Sequence, residues 1–387
     1  MKKNKYPQNT KSIAFVTQNI NKIGGLELWS RRLINTFFKS NHKVTLVCSA
    51  KPKDDYFEKN ISFKIIDDSA VLKSFKPSAF NKRAQQMVNQ NKYDIIFSMD
   101  RTSFHTHMRT GNGVHQSYLN QRSLFEGYNK LLQFANPLNK VLLNLERKSF
   151  GAPNLKMIFA NSLMVKKEIV KFYNVLPDKV QVVHNGADLK GYEDYFKQWP
   201  SKKNSLQKKG FIKSSCYHFL FIGNGYKRKG LNYLLEALSE LKYHSFHLTI
   251  AGHESKIHRF KLYAHKLGLS DKITFLGPVS STTELYQFCD CLIIPSIYDP
   301  FANVTQEALA MGLYVISSKH NGGYEVLSEK NGSVIDCLRS RDSFVQCLIK
   351  ALERPKTLSS AKKIRSSIVE LGLETQLEKY CNLCELK

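Results

Sequence analysis

Short runs of consecutive apolar residues alternate with helical segments along most of this chain. The first run, residues 12–17 (SIAFVT), leads through a glycine pair into residues 26–41, where apolar side chains recur at helical spacing from Leu26 to Phe37. Runs that are apolar throughout, and not only at every second residue, are typical of parallel strands covered on both faces. The alternation therefore predicts an α/β fold built on parallel sheets.

The strand–helix pattern lapses once and then restarts. Strands are also predicted at residues 43–50, 93–99, 155–162, 180–188, 217–223, 246–252, 272–277, 291–296 and 313–318. Residues 191–215 are charged and lack a clear strand, which indicates an interdomain segment followed by a short helix. We therefore expect two doubly wound, Rossmann-like domains, residues 1–188 and 189–356, facing across a cleft. The remaining residues, 357–387, are predicted to be helical and could pack back on the N-terminal domain.

The balance of charge limits the classes of partner. Lys and Arg number 58 against 32 Asp and Glu, a formal net charge of +26. Such an excess indicates a polyanionic neighbour: nucleic acid, anionic lipid headgroups or phosphorylated small molecules. No window approaches the ~20 apolar residues of a membrane-spanning helix, and the N-terminal apolar run is too short for a signal peptide. We expect a cytoplasmic protein, or one peripheral on the cytosolic face of the inner membrane, with its eight cysteines reduced and structural.

Four loops that follow predicted strands carry residues suited to ligand binding, because ligands of parallel sheets lie beyond the carboxyl ends of the strands. They hold the pair Gly24–Gly25, the histidines His105, His107 and His115, the basic segment 223–230 (GNGYKRKG) and the acidic stretch from Asp299 to Glu307. Gly25 stands just before a helix, where glycine lets backbone N–H groups approach an anion. Lys227, Arg228 and Lys229 are suited to a pyrophosphate clamp, although a lone basic triplet is most often solvated surface.

Two acids eight positions apart, Asp299 and Glu307, flank the start of a predicted helix. The helix should begin near Ala302 or Asn303, which would leave the N–H groups of Phe301 to Val304 free to face a ligand. One interpretation makes Asp299 a helix cap and Glu307 a favourable first-turn acid. The other makes both acids ligands for the hydroxyls of a sugar nucleotide. No Asp-x-Asp pair follows a strand, so we expect no metal site, and cationic side chains would handle the phosphate.

Three segments together resemble retaining glycosyltransferases of family 4, and within them most of all the lipopolysaccharide core enzymes that add a sugar to heptose. These are IAFVTQNINKIGGLELWSRRL, FIGNGYKRKGLNYLLEAL and YDPFANVTQEALAMGLYVISSKHNGGYEVL, which begin at Ile13, Phe221 and Tyr298. The resemblance implies the GT-B fold of two Rossmann-like domains, with residues 1–188 binding the acceptor and residues 189–356 binding the nucleotide sugar. It also implies a UDP-sugar donor and no cofactor.

The resemblance assigns roles to particular residues. Glu307 would bind the ribose hydroxyls and Asp299 the transferred sugar, while Arg228 and Lys229 would neutralise the diphosphate. The remaining donor-side candidates are Gly25, Gly223, Phe301, Ala302, Asn303 and Val304. The family usually has Glu where this chain has Asp299, which shortens the reach toward the donor sugar.

Residues of the N-terminal half are assigned less specifically. His115 is the histidine that we favour for orienting donor or acceptor, by resemblance to family members. Glu27, His105 and His107 are candidates for acceptor contact. Arg101, Arg109 and Arg122 could meet phosphates of an oligosaccharide or simply lie on the surface.

The leading hypothesis is a metal-independent, retaining transferase that moves a hexose, expected to be glucose, from a UDP-sugar to a membrane-anchored glycan such as lipopolysaccharide core. One alternative is a basic nucleic-acid-binding protein, but the sequence contains no recognised binding motif. Another is a sugar-nucleotide epimerase on the same fold, whose motifs we do not find.

Overall fold

The computed structural model describes residues 10–21, 25–52, 56–57, 60–67, 72–208 and 216–385. The chain forms two compact units. The first runs to His184 and takes in the chain from Gln376, and the second is Asn185–Thr375. The sequence placed the boundary after residue 188 and kept 357–387 as one segment, whereas the structure divides that segment between the two units.

The first unit is built on a seven-stranded parallel sheet. Its strands are β1 (Ser12–Val16), β2 (Lys43–Cys48), β3 (Ser62–Ile65), β4 (Ile95–Ser98), β5 (His107–Arg109), β6 (Met157–Ala160) and β7 (Val180–Val182). Its helices are α1 (Gly25–Lys39), α2 (Lys76–Asn89), α3 (His115–Glu126), α4 (Lys130–Ala135), α5 (Pro137–Phe150) and α6 (Leu163–Tyr173). The strand order is β3-β2-β1-β4-β5-β6-β7, so the chain reverses its winding direction between β1 and β4.

The second unit has a six-stranded parallel sheet. Its strands are β8 (Tyr217–Ile222), β9 (Phe246–Ala251), β10 (Ile273–Gly277), β11 (Cys291–Ile294), β12 (Tyr314–Ser318) and β13 (Gly332–Ile335). The remaining helices are α7 (Glu193–Lys208), α8 (Leu231–Ser239), α9 (Ile257–Lys266), α10 (Thr283–Phe288), α11 (Val304–Ala310), α12 (Arg341–Leu352), α13 (Leu358–Ser366) and α14 (Leu373–Glu385). The order β10-β9-β8-β11-β12-β13 places the winding reversal between β8 and β11. The predicted pair of doubly wound parallel-sheet domains is confirmed.

The charged stretch after residue 191 forms an element of the second unit. Its helix, α7, buries Trp199 and extends over sixteen residues despite an internal proline. Lys203 on this helix lies 2.7 Å from the buried carboxylate of Asp290. The Lys356 ammonium lies 4.5 Å from the centre of the Trp199 ring. A long helix therefore replaces the interdomain segment and short helix expected from the sequence.

The C-terminal helix α14 contributes to the core of the first unit. Tyr380 is fully buried, with its ring centre 4.6 Å from that of Phe159. Its hydroxyl accepts a hydrogen bond of 3.2 Å from Nε of Arg109. Among the described residues, no helix is long and apolar enough to cross a membrane.

Candidate functional site

The basic loop and the acidic stretch come together at one end of the second sheet. β8 and β11 are neighbours, and the winding reversal between them is the place where doubly wound sheets bind ligands. Arg228 and Lys229 follow β8, and Asp299 follows β11. Strand order alone therefore brings these three residues to a single site.

The site is centred on an ion pair. Nζ of Lys229 lies 2.6 Å from Oδ2 of Asp299, and each side chain is 11% exposed. Nη1 of Arg228 lies 3.6 Å from the same oxygen and donates to the carbonyl oxygen of Tyr298 at 3.1 Å. Burial acts to raise the pKa of Asp299, but the charges of Lys229 and Arg228 outweigh it and hold that pKa below its usual range. Burial lowers the pKa of Lys229, and the charge of Asp299 opposes this shift.

Two glycines allow the loops to approach so closely. Gly230 has a φ of +77°, and a Cβ at this position would lie 1.8 Å from the carbonyl oxygen of Pro295. A Cβ on Gly223 would lie 2.8 Å from Cγ of Lys229, so the aliphatic part of the lysine lies against this glycine. The predicted donor-site residue Gly223 thus makes room for the side chain that pairs with Asp299.

Asp299 is not a helix cap. Helix α11 begins at Val304, and its N-cap residue Asn303 makes no side-chain capping bond. The backbone of Asp299 is instead held in a bridge to the next loop: its N–H donates to His320 at 2.8 Å, and its carbonyl accepts from Gly322 at 2.9 Å. The capping interpretation of Asp299 is therefore wrong, and the residue is free to act as a fixed counter-charge.

The backbone before α11 is less open than the sequence suggested. The N–H of Ala302 donates to Oδ1 of Asn321 at 2.9 Å, and Phe301 and Ala302 are buried. The Asn303 side chain accepts from Nδ2 of Asn185 at 2.6 Å. The helix also starts at Val304, later than predicted. The expectation that all N–H groups from Phe301 to Val304 are free is corrected for Ala302.

Glu307 lies in the first turn of α11 and is oriented by a tyrosine that the sequence analysis did not identify. The hydroxyl of Tyr286 donates to Oε2 of Glu307 at 2.8 Å. Burial raises the pKa of Tyr286 well above its usual range, and the Glu307 charge adds to the shift. The phenol therefore remains a donor throughout the physiological range. The role of Glu307 toward a ribose remains a prediction.

His115 opens helix α3 of the first unit and is held by two polar side chains. Its backbone N–H donates to Oε2 of Glu146 at 2.7 Å, and its Nε2 lies 3.1 Å from Oδ1 of Asn139. Burial lowers the pKa of His115, Arg101 lowers it further, and Glu146 opposes both. The imidazole is therefore neutral at pH 7, with one nitrogen directed at an amide oxygen.

Glu146 on α5 is the most connected acid of this region. It is completely buried and accepts from Nε of Arg101 at 2.8 Å and from the N–H of Gln116 at 3.2 Å. The hydroxyl of Tyr173 donates to Oε1, the oxygen that also accepts from Gln116. Arg101 is thus engaged in a largely buried ion pair, which corrects the surface interpretation, while its contact with an oligosaccharide phosphate stays a prediction.

Neither His105 nor His107 lies where an acceptor could contact it. Both are buried, at 0% and 2% exposure. The His107 ring stacks on Phe97 at 11°, and Nδ1 of His105 lies 2.8 Å from Oγ1 of Thr102. Burial lowers the pKa of His105 to about 3. Strand β5 and the loop before it place these rings in the interior, so the prediction for the two histidines is wrong.

The other candidates of the first unit lie in different settings. Arg109 is buried over the ring of Trp29, 5.4 Å from its centre, which also corrects its assignment to phosphate or surface. Arg122 lies 3.8 Å from the centre of the Tyr128 ring and pairs with Glu126. Glu27 is in the first turn of α1, which begins at Gly25. The preceding Gly24 lies outside the described residues.

One further acid lies at the winding reversal of the first sheet. Oδ2 of Asp100, just after β4, accepts from the N–H of Gln18 at 2.7 Å and from the hydroxyl of Thr17 at 3.1 Å. It joins the loops after β1 and β4 and was not identified from the sequence. Within the described ranges, no group of three or more His, Cys, Asp or Glu side chains could hold a metal ion. All eight cysteines lie among the described residues, and none of them forms a disulfide.

Comparison with protein families divides the chain in the same way. A model described as Glycosyltransferase Family 4 matches residues 23–190. A model described as Glycosyl transferases group 1 matches residues 202–366. Between them the two models match most of the chain.

Curated relatives include an uncharacterized glycosyltransferase of Methanocaldococcus jannaschii, 33% identical over 44% of each chain. The lipopolysaccharide glucosyltransferase WaaG of Escherichia coli is 27% identical over 52% of this chain and 56% of that protein. The matched part thus spans about half the length of these two relatives.

Solved structures share the fold over nearly the whole chain. A crystal structure of WaaG has a TM-score of 0.78 at 20% identity and covers 96% of this chain and 99% of its own. A structure of Anabaena HepE in complex with UDP and glucose has a TM-score of 0.71 at 15% identity and covers 97% and 100%. The two parallel-sheet domains are those of the GT-B fold. The chain belongs to the glycosyltransferases, with a family 4 N-terminal half and a group 1 C-terminal half.

Proposed function

We propose that the protein is a metal-independent, retaining glycosyltransferase that moves a hexose from a UDP-sugar to a membrane-anchored glycan. The observation that carries the proposal is the cluster of Lys229, Arg228 and Asp299 at the winding reversal of the second sheet. It lies within the part of the chain matched by the group 1 glycosyltransferase model. A sugar nucleotide contains an anionic diphosphate and several hydroxyls, which call for cations and acids in this combination.

The donor would be held by cations at its diphosphate and by an acid at its ribose. Lys229 and Arg228 are the cations available to the diphosphate, and Glu307 is the acid available to the ribose diol. The complex of HepE with UDP and glucose supports a uridine donor, since that protein shares the fold. Tyr286, whose hydroxyl donates to Glu307, would keep the carboxylate in one orientation for the diol.

Transfer would depend on stabilising the departing diphosphate. As the bond between the anomeric carbon and the phosphate oxygen breaks, negative charge grows on the leaving group and positive charge on the sugar ring. Preorganised cations in a largely buried site favour that state more than they would in water. Lys229 is such a cation, because its ammonium is 2.6 Å from a fixed carboxylate and mostly shielded from solvent. Retention of anomeric configuration follows from the family resemblance.

The acceptor half of the proposal rests on the first unit. The name of WaaG supports lipopolysaccharide as the glycan class. Leu131 and Leu132 on α4 are 79% and 72% exposed, and Leu124 at the end of α3 is 51% exposed. On neighbouring helices such side chains can form an apolar patch, and contiguous patches of this kind mark interaction surfaces. On a chain of charge +26 they suit a peripheral contact with an anionic membrane.

The test is transfer from a panel of UDP-, GDP- and ADP-sugars to lipid-linked glycan acceptors, in the presence of EDTA. We expect turnover of one UDP-hexose, with the anomeric configuration of the product, read by NMR, equal to that of the donor. Glu307→Ala should lower kcat/KM by about 100-fold, because hydrogen bonds to a charged group are worth about 1.5–3 kcal/mol. The control is Glu240→Ala, which removes an exposed carboxylate that pairs with Arg341. No turnover of any sugar nucleotide, or equal activity of the two variants, would contradict the proposal.

A further inference from the structure

A single carboxylate oxygen contacts both cations that the proposed function assigns to the diphosphate. Oδ2 of Asp299 lies 2.6 Å from Nζ of Lys229 and 3.6 Å from Nη1 of Arg228. These contacts leave out the other oxygen, Oδ1. The arrangement differs from the expectation that Asp299 serves only as a ligand of the transferred sugar.

We propose that Asp299 is a positioning residue for Lys229, keeping its buried ammonium charged and aimed at the donor diphosphate. The inference rests on the proposed function, and it adds a role to the sugar contact implied by family resemblance. In this role Asp299 links recognition of the sugar to recognition of the phosphates. One oxygen of its carboxylate, Oδ2, holds both cations.

The need for such a partner follows from burial. An ammonium removed from water tends to lose its proton unless an opposite charge lies within a few ångströms. The charged groups that face Lys229 are Asp299 and Arg228. Arg228 has the same sign as the lysine and favours its neutral form, so Asp299 is the group that keeps it charged.

The geometry also restricts where the ammonium can go. The aliphatic part of Lys229 lies against Gly223, where a Cβ would come within 2.8 Å of Cγ. The backbone of Asp299 is fixed on both sides by hydrogen bonds to His320 and Gly322. The loop of Arg228 is tied to the same segment, because the N–H of Ile297 donates to the Arg228 carbonyl at 3.0 Å. The backbone of Asp299 and the aliphatic part of Lys229 are therefore both held in place, which favours the contact between carboxylate and ammonium.

The first experiment measures UDP affinity by calorimetry between pH 7 and pH 9. UDP lacks the transferred hexose, so an Asp299 that binds only this hexose predicts no change in the Kd of UDP or in the pH dependence of that Kd. Between pH 7 and pH 9, the Kd of UDP should rise about tenfold more in Asp299→Asn than in the wild type. The reason is that the charged fraction of a lysine falls tenfold per pH unit above its pKa. Adding Lys229→Arg should restore a flat profile, since arginine keeps its charge at these pH values. Glu240→Gln is the matched control, because it removes an exposed carboxylate from a pair with Arg341.

The second experiment needs no ligand. In Asp299→Asn the pKa of Lys229 should fall below its unfolded value, so the folded chain binds fewer protons and its stability should rise between pH 7 and about pH 10. Asp299→Asn combined with Lys229→Met should lack this rise. Thermal denaturation of both variants across that range would show the difference.

The outcomes separate the two proposals. If the wild type binds no UDP, the proposed function fails, and the stability measurement still decides the role of Asp299. The inference is overturned if Asp299→Asn keeps the wild-type pH profile for UDP, or if arginine at position 229 fails to restore the flat profile. It is also overturned if the two ligand-free variants show the same change of stability with pH.

Discussion

Removing the carboxylate of Glu146 should destabilise the first unit more than removal of any single surface charge. The side chain is fully buried, and it accepts from Arg101, from the N–H groups of His115 and Gln116, and from Tyr173. Glu146→Ala would leave a largely buried guanidinium without its counter-charge, which typically costs about 3–5 kcal/mol. Two N–H groups at the start of α3 would also lose their acceptor, at about 1–3 kcal/mol for each that stays out of water.

These costs overlap, because the groups share one site and water can enter the space left behind. We therefore expect Glu146→Ala to lower the free energy of unfolding by about 4 kcal/mol. Glu146→Gln keeps an oxygen for the helix N-terminus but loses the charge, and it should lose about half as much. Tyr173→Phe removes only the hydrogen bond that the tyrosine hydroxyl donates to Glu146, and it should lose about 1 kcal/mol.

Urea denaturation followed by fluorescence and circular dichroism would give the three values. The predicted order is Ala, then Gln, then the tyrosine variant, from largest loss to smallest. A loss below about 1 kcal/mol for Glu146→Ala would refute the reasoning, because it would mean that neither the ion pair nor the helix N-terminus depends on this carboxylate.

Three other perturbations test the packing around the two sites. Gly230→Ala should lower the stability of the second unit by about 3 kcal/mol in urea denaturation, because φ is +77° and a Cβ would meet a carbonyl oxygen. Gly225 has a φ of +72° but open space around it, so Gly225→Ala should lose only about 1 kcal/mol in the same experiment. Tyr286→Phe removes one hydrogen bond to Glu307 and should weaken UDP binding by about tenfold in calorimetry, with a loss of about 1 kcal/mol in stability. Tyr380→Ala removes a fully buried ring and should lower the free energy of unfolding of the first unit by about 3–5 kcal/mol. The backbone amides of α14 should also become less protected from hydrogen exchange.

The parts of the fold that were predictable from the sequence are those where burial is continuous. β1, β8 and β11 are runs of buried residues, and a run of that kind is visible without any structure. β3, β5 and β13 were not predicted, because each is short and has few consecutive apolar residues. β3 is partly exposed along its length and carries polar residues, and β5 has three residues, of which only Met108 is apolar.

The candidate site was predictable to the extent that strand order determines it. Loops after neighbouring strands must lie together, so the meeting of Lys229 and Asp299 follows from the topology. Residues that act through burial could not be foreseen. Glu146 is one acid among many on a helix, and His107 differs from a surface histidine only because its strand lies in the middle of the sheet. A histidine in a polar segment therefore misled the sequence analysis, since polarity along the chain does not report position in the fold.

The most direct test of the central claim is a crystal structure of the protein with UDP. We expect the diphosphate oxygens within hydrogen-bond distance of Nζ of Lys229 and the guanidinium of Arg228, and the ribose hydroxyls on the carboxylate of Glu307. Lys229 should keep its contact with Oδ2 of Asp299 in that complex. A UDP molecule bound elsewhere on the second unit, or one whose phosphates contact neither cation, would contradict the account.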